Sequence, residues 1–131
     1  MDHKDIEILK HLSVDGRQSA RQLSLRLGVS TVTILSRIKK LEEKNIIKGY
    51  SVRLNHELLG FDITAIIKIK TSKGKMLEIE NEIAKYDSTI AVYDITGDAD
   101  MVIIAKFKTR EFLSDFVKKI SAIPNVENTL T

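Results

Sequence analysis

Apolar residues recur at intervals of three or four in the first 45 residues, the spacing typical of amphipathic α-helices. This pattern predicts helices over residues 2–14, 19–28 and 31–44, packed as a small bundle. We expect Gly16 to cap the first helix at its C-terminus. The positions expected to face the shared core are Ile6, Leu9 and Leu12 with Ile8 beside them, then Leu23 and Leu27, then Ile34, Ile38 and Leu41.

The turn between the second and third helices is very short, since only residues 28–30 separate them. Ser19 and Gln22 have the spacing of a capping box, which predicts the start of the second helix. Gly28 suits the left-handed backbone that ends a helix, and Ser30 is a favourable N-cap for the next one. Helices joined by so short a turn cross steeply, so residues 19–44 are predicted to form a helix-turn-helix.

The third helix has a second face that the core does not need. Hydroxyl and apolar side chains on such a face can contact base edges and thymine methyls, while cations bind phosphates. We therefore predict that this face enters a DNA major groove. An ordinary helix pair in an all-α subdomain is the alternative. The candidate DNA-binding residues are Ser30, Thr31, Val32, Leu35, Ser36, Arg37, Lys39 and Lys40.

Asn45 follows the third helix, where it can adopt the left-handed backbone that usually falls to Gly. Residues 46–54 are predicted to form a strand-like connector, and residues 55–60 a turn with polar flanks. The expected organisation is therefore a helix-turn-helix domain at residues 1–45, a connector at 46–60 and a second domain at 61–131.

The second half alternates strands and helices. Strands are predicted over residues 63–71, 89–96, 101–108 and 126–131, and helices over 75–86 and from a cap at Thr109 to Ile123. The segment at 67–71 recurs at 105–109, and each copy precedes a helix and then a strand. Two strand–helix–strand units predict a βαββαβ, ferredoxin-like domain with both helices on one sheet face, so the fold class is α+β.

The other face of that sheet has no sequence left to cover it. Alternation turns Ile63, Ala65, Ile67 and Ile69 towards the helices, together with Met101, Ile103, Ala105 and Phe107. Ile66, Val102 and Ile104 lie on the opposite face. Because an uncovered apolar sheet face marks association, we predict a homodimer through the second domain. The alternative is that Lys68, Lys70, Lys106 and Lys108 keep this face solvated.

Basic residues are concentrated in the helical half. Residues 1–50 contain ten basic and six acidic residues, whereas residues 51–131 contain eleven and twelve. This is the sign of charge expected of a domain that binds DNA phosphates. The chain has no cysteine, which excludes disulfides and thiolate metal sites. A charged N-terminus and the lack of a long apolar run predict no signal peptide and no membrane span, hence a cytoplasmic protein.

The sequence lacks motifs of catalysis. It has no nucleophile elbow, no phosphate-binding glycine loop and no Cys–His pair. His3, His11 and His56 are too scattered for a metal set. Asp98 and Asp100 have the spacing of paired catalytic or metal-binding carboxylates. They are also typical of a tight turn between strands, which is the interpretation we favour. We therefore expect no enzyme, no metal and no other cofactor.

Several motifs resemble those of the Lrp/AsnC (feast/famine) family of transcription regulators, in particular its archaeal type. They are Asp15-Gly16-Arg17, Leu27-Gly28-Val29-Ser30, Arg37-Ile38-Lys39-Lys40-Leu41-Glu42-Glu43, Ile46-Ile47-Lys48-Gly49-Tyr50, Thr96-Gly97-Asp98-Ala99-Asp100 and Ile123-Pro124-Asn125-Val126. The resemblance covers nearly the whole chain. It implies a DNA-binding repressor or activator that is dimeric, often octameric, and responds to an amino acid or related metabolite.

The same resemblance implies an effector-binding site in the second domain. Its residues are Gly97, Asp98, Ala99 and Asp100, with Thr129 and Thr131 nearby. A small zwitterion would place its ammonium against the acids and its carboxylate against backbone amides. Ala99 stands where the family has an aromatic residue, which indicates an altered pocket. Asn45 replaces the family's usual Gly, and the last strand stops at Thr131, earlier than in relatives.

A function of another class also fits these elements. A metabolite-sensing protein with a ferredoxin-like domain could act through protein partners or RNA rather than DNA. RNA-binding domains of this topology stack bases on aromatic residues of the central strands, where this chain has only Tyr93 and Phe107. Strongly salt-dependent binding to duplex DNA from upstream of the protein's own gene would favour the regulator.

Overall fold

The computed structural model describes residues 1–131, which divide into two compact units, Met1–Arg53 and Leu54–Thr131. The first unit contains three helices and no strand, and the second contains a four-stranded sheet with two helices. None of these helices combines the length and the apolar character needed to cross a bilayer.

The first unit is built from α1 (His3–Val14), α2 (Ala20–Leu27) and α3 (Thr31–Glu43). Ile8, Leu23 and Ile34, one from each helix, are fully buried and pack together. The partly buried residues around them are Leu12, Ala20, Leu27, Val29 and Ile38. Because so few side chains are removed from water in a unit of this size, each of the three central ones contributes a large share of the hydrophobic stabilisation.

Local hydrogen bonds define the ends of α2 and α3 as predicted. The Ser19 hydroxyl accepts a hydrogen bond from the Gln22 amide, and the Gln22 side chain accepts one from the Ser19 amide. Gly28 ends α2 in a left-handed conformation with a φ of 68°. The Ser30 hydroxyl accepts from the Thr33 amide at the start of α3. Asn45 is also left-handed, with a φ of 58°.

The predicted C-cap of α1 is wrong. Asp15 is the C-cap, in an extended conformation with a φ of −144°, and its amide donates to the His11 carbonyl. The Asp15 carboxylate then accepts a hydrogen bond from the Arg17 amide at 2.9 Å. This side-chain turn redirects the backbone after Asp15, and Gly16 does not adopt the left-handed conformation of a C-cap glycine.

Two further expectations for this unit are corrected. Ile6 is 39% exposed rather than central to the core. The buried side of α1 is centred on Ile8 and Leu12, which are one turn apart. Residues 46–54 form no strand. A strand requires a hydrogen-bonded neighbour, and no strand of this chain pairs with the connector.

The second unit has the predicted βαββαβ order. Its elements are β1 (Ile63–Thr71), α4 (Met76–Ala84), β2 (Thr89–Asp94), β3 (Met101–Phe107), α5 (Arg110–Ser121) and β4 (Val126–Leu130). The strands are arranged β2-β3-β1-β4, and every neighbouring pair is antiparallel. This topology confirms the ferredoxin-like α+β prediction. The Thr109 hydroxyl caps α5 by accepting from the Phe112 amide, also as predicted.

Alternation along the two central strands separates a buried face from an outer face. Ile67 of β1 lies opposite Ile103 of β3, and both are fully buried. The buried residues of the two strands are Ala65, Ile67, Ile69 and Thr71, and Met101, Ile103, Ala105 and Phe107. Ile79 and Ile83 of α4, with Phe116 and Ile120 of α5, cover them. Both helices therefore pack on the same side of the sheet.

The outer face of the sheet carries the apolar side chains that the alternation predicts. Ile66 is 60% exposed, and Tyr93 of β2, which lies opposite Val102, is 57% exposed. Val102 and Ile104 are half-buried by their neighbours within the sheet. No element of the second unit lies over this face, because both helices pack on the other side.

Candidate functional site

The two sides of α3 differ in the way the sequence predicted. Ile34 and Leu41 are buried, whereas Val32 is 76% exposed and Leu35 is 55% exposed. With 3.6 residues per turn, the side chains at positions 32, 35, 36 and 39 lie away from those at 34 and 41. All six residues expected on the free face are exposed: Thr31, Val32, Leu35, Ser36, Lys39 and Lys40.

The polar side chains of α3 differ in whether they already form hydrogen bonds or ion pairs within the protein. The Ser30 hydroxyl caps the helix and also lies 2.9 Å from the Thr33 hydroxyl. Lys39 and Lys40 have no carboxylate within salt-bridge distance. These two ammonium groups therefore remain available to bind phosphates, while Ser30 has a structural role at the helix start.

Arg37, a candidate DNA-binding residue, is already paired with two carboxylates. Its guanidinium donates to both Asp2 carboxylate oxygens at 2.6 Å and to the Asp5 carboxylate at 3.1 Å. This hydrogen bonding lowers the pKa of Asp2 to about 2 and raises the pKa of Arg37. Asp2 is the N-cap of α1, so Arg37 ties the start of α1 to the middle of α3.

An open cleft of about 680 Å³ borders the free face of α3. Val32, Ser36, Arg37 and Lys40 line it on α3, and Asp2 and Asp5 line it at the start of α1. Sequence reasoning missed the two aspartates, because Asp2 and Arg37 are 35 positions apart and no periodicity relates them. Two carboxylates therefore lie beside the candidate DNA-binding surface and neutralise its only arginine.

In the second unit, Asp100 anchors the loop that was expected to bind an effector. Its carboxylate accepts hydrogen bonds from the Thr71 amide at 2.8 Å and the Thr71 hydroxyl at 3.3 Å. Its own amide donates to the Ile69 carbonyl at 2.9 Å. Gly97 has a φ of 108°, which only glycine adopts easily. Asp100 is thus engaged in holding the loop against the end of β1.

A cleft of about 210 Å³ lies beside this loop. Of the predicted effector residues it brings together Asp98, Ala99 and Thr129, whereas Gly97, Asp100 and the exposed Thr131 do not line it. Its remaining lining residues are Lys68, Lys70, Ile95, Thr96, Asn128 and Leu130. The two lysines were assigned only a solvating role, yet their place on the outer face of β1, beside β4, puts them in the cleft.

No group of three or more His, Cys, Asp or Glu side chains is placed to hold a metal ion. His3 lies 2.9 Å from Glu7 on the same helix, far along the chain from His56. Asp98 and Asp100 differ in their surroundings, because Asp98 is exposed and Asp100 is bound to Thr71.

Comparisons with known proteins agree with both units. Residues 1–48 match the winged helix-turn-helix DNA-binding family, and residues 64–131 match the Lrp/AsnC ligand binding domain family. The chain belongs to the Lrp/AsnC family. This Lrp/AsnC protein is a DNA-binding transcriptional regulator, and the matches give no support to action through RNA or protein partners instead.

Relatives of this Lrp/AsnC chain occur in Pyrococcus abyssi. An uncharacterized HTH-type transcriptional regulator of Pyrococcus abyssi is 45% identical over 131 residues, which are 100% of this chain and 89% of the relative. The HTH-type transcriptional regulator FL11 of Pyrococcus abyssi is 39% identical over 131 residues, covering 100% of this chain and 87% of FL11. Each alignment covers nearly all of this chain and of the relative, so it includes both units, in the same order.

Solved structures of the family have the same fold as this Lrp/AsnC protein. E. coli AsnC aligns with a TM-score of 0.84 and 25% identity, over 99% of this chain and 89% of AsnC. A transcriptional regulator from Neisseria meningitidis, in complex with L-Met, aligns with a TM-score of 0.88 and 26% identity, over 99% of this chain and 86% of the regulator.

Proposed function

We propose that this regulator reads DNA by inserting the free face of α3 into the major groove. The observation that carries this proposal is the exposure of Val32 and Leu35 on a helix whose other side buries Ile34 and Leu41. Apolar side chains at such positions can pack on thymine methyls, and the Thr31 and Ser36 hydroxyls can bond base edges. Lys39 and Lys40 supply phosphate contacts, which fix the register without selecting sequence.

The groove contact of Val32 can be tested against a matched residue. Val32 and Val14 are each 76% exposed and both lie in the first unit, but Val14 is at the end of α1. Removing two methyl groups from a contact with DNA weakens binding about tenfold, at ~0.8 kcal/mol for each group. Fluorescence anisotropy on a selected duplex should show this loss for Val32→Ala and not for Val14→Ala. Equal affinities for the two variants would contradict the proposal.

The second unit pairs two chains in this proposal. The outer sheet face, with Ile66, Val102, Ile104 and Tyr93, would be the contact surface of a homodimer. The two α3 helices of the dimer would then read two half-sites on one side of the duplex, with their centres about 10 bp apart or a multiple of that. Assembly of these dimers into octamers is the further state that the family resemblance implies.

Light scattering can test the pairing with two substitutions of similar exposure. Ile66 is 60% exposed on the outer sheet face, whereas Leu77 is 69% exposed on α4, on the helical side. A desolvated arginine at the contact is costly, so Ile66→Arg should reduce the mass to that of one 14.8 kDa chain. Leu77→Arg should leave the mass unchanged. A single-chain mass for the unaltered protein would rule the dimer out.

An amino acid is the proposed effector, bound in the cleft beside the 95–100 loop. Asp98 would face its ammonium, and Lys68 and Lys70 would face its carboxylate. The Neisseria meningitidis relative, in complex with L-Met, supports this class of ligand. Calorimetry with each of the common amino acids tests this proposal. Asp98→Asn should weaken the binding of the amino acid, whereas Asp62→Asn, which changes an exposed aspartate outside the cleft, should not. Absence of heat from every amino acid would leave the cleft without this role.

The domain limits expected from the sequence remain part of the proposal. Residues 1–45 would bind DNA, residues 46–60 would connect, and residues 61–131 would assemble and bind the effector. An effector acts on such a protein by binding two assemblies with different affinity, so it would change which assembly occupies DNA.

A further inference from the structure

The phenylalanine residues of this chain are gathered in one place. The sequence contains four of them, and all four line a single cavity of about 450 Å³ in the second unit. Tyr86 lines the same cavity, so five of the seven aromatic residues surround it. The four phenylalanines are Phe61, Phe107, Phe112 and Phe116. This cavity lies on the helical side of the sheet, and it shares no residue with the cleft beside the 95–100 loop.

The aromatic rings form a fixed base and a more open rim. Phe107 and Phe116 are 2% and 5% exposed, and their ring centroids are 5.1 Å apart. The Tyr86 ring meets Phe116 edge to face at 5.6 Å. Phe112, by contrast, is 58% exposed on the first turns of α5. A buried aromatic base with an exposed ring at its mouth is suited to an additional ring, because aromatic pairs prefer such edge and offset contacts.

Three lysines are among the residues that line this cavity. Lys106, Lys108 and Lys119 line it, and none of them has a carboxylate within salt-bridge distance. The Lys108 ammonium lies 5.3 Å from the centre of the Phe61 ring, and the Lys106 ammonium donates to the Thr64 hydroxyl. Lys106 is therefore engaged on the outer face of the sheet, whereas Lys108 and Lys119 leave two ammonium groups without a carboxylate partner beside apolar walls. Such a combination favours a ligand that joins a ring to an anionic group.

We propose that this cavity binds a small aromatic carboxylate at a second site, separate from the amino-acid cleft. The volume lies within the range of about 300–1,000 Å³ that is typical of ligand pockets. The ring would pack against Phe112 and Tyr86, and the carboxylate would pair with Lys119 or Lys108. Asp87 and Asp115 also line the cavity, so an aromatic amino acid and an aromatic 2-oxo acid share the required chemistry.

The full chain, without DNA, is titrated with four probes while its amide spectrum is followed by NMR. Phenylpyruvate and L-phenylalanine carry both ring and carboxylate, L-leucine lacks the ring, and phenethylamine lacks the carboxylate. We expect saturable shifts at the amides of Phe61, Phe112 and Lys119 with at least one of the first two probes. Stronger binding of phenylpyruvate would identify the 2-oxo acid as the ligand type, and stronger binding of phenylalanine the amino acid. The proposal would be overturned if leucine or phenethylamine caused amide shifts as large as those caused by phenylpyruvate or phenylalanine.

Substitutions at the cavity separate this site from the cleft. Phe112→Ala and Lys119→Gln each change an exposed side chain, and each should weaken binding of the aromatic acid about tenfold. Lys118→Gln alters the neighbouring exposed lysine, which does not line the cavity, and Asp98→Asn alters the cleft. Both controls should bind as the unaltered chain does. Loss of binding in Asp98→Asn, or no effect of the two cavity substitutions, would overturn the second site, as would an absence of binding altogether.

Discussion

The contrast between Lys40 and Arg37 gives the sharpest quantitative prediction for DNA binding. Both are cationic and lie on α3, but Lys40 is exposed and unpaired, whereas two carboxylates hold Arg37. A lysine that neutralises a phosphate releases a condensed counterion, which steepens the dependence of affinity on salt. An arginine already neutralised by Asp2 and Asp5 releases no such ion. Lys40→Gln should therefore alter the salt dependence, and Arg37→Gln should alter it much less.

The size of the effect follows from the charge removed. Each phosphate contact contributes about 0.9 to the slope of log affinity against log salt concentration. From 50 to 200 mM salt, the affinity of a variant lacking one contact should therefore fall about 3.5-fold less than that of the unaltered protein. Because phosphates carry no sequence information, Lys40→Gln should weaken binding to a selected and a scrambled duplex by the same factor.

Fluorescence anisotropy at several salt concentrations measures both slopes on the same labelled duplex. Circular dichroism provides the control for folding: Arg37→Gln should lower the melting temperature, since it frees α1 from α3, and Lys40→Gln should not. An unchanged slope for Lys40→Gln would remove this lysine from the phosphate contacts. Equal slope changes for both variants would refute the reasoning from the ion pair, because Arg37 would then leave its carboxylates to bind DNA.

Three further predictions concern stability, each measured by urea unfolding. Ile34→Ala should lower the free energy of unfolding of the first unit by about 2–5 kcal/mol, whereas Val32→Ala on the exposed side should change it by less than about 0.5 kcal/mol. Gly28→Ala should cost about 1 kcal/mol because of the positive φ alone, since a Cβ meets no atom within 4 Å; Gly28→Asn should cost less. Hydrogen bonding with Asp94, burial and the charge of Asp94 raise the pKa of Glu80 above its usual 4.5, and one Glu80 oxygen is buried without a partner. The folded state thus holds this proton more tightly than the unfolded state, so stability should fall as the pH rises above 4.5, and Glu80→Gln should reduce that fall.

The sequence by itself determined the order of the helices and of the four sheet strands, and the faces of α3, β1 and β3. Both ends of α2 and the start of α3 depend on Ser19, Gly28 and Ser30. Their hydrogen bonds involve residues at most four positions away. The inner and outer faces of β1 and β3 follow from strict alternation. The exposed face of α3 was predictable for the same reason, because helical period alone separates Val32 from Ile34.

Tertiary structure alone decided which of those side chains meet. Arg37 reaches Asp2 across 35 positions, and Asp100 binds Thr71 across 29. The phenylalanine cavity joins the start of β1, the end of β3 and α5. Local propensity and periodicity extend over only a few residues, whereas these contacts depend on how whole elements pack. The number of unpaired cations on α3 and the shapes of the cavities were therefore set by packing. No repeating pattern in the sequence predicts such contacts.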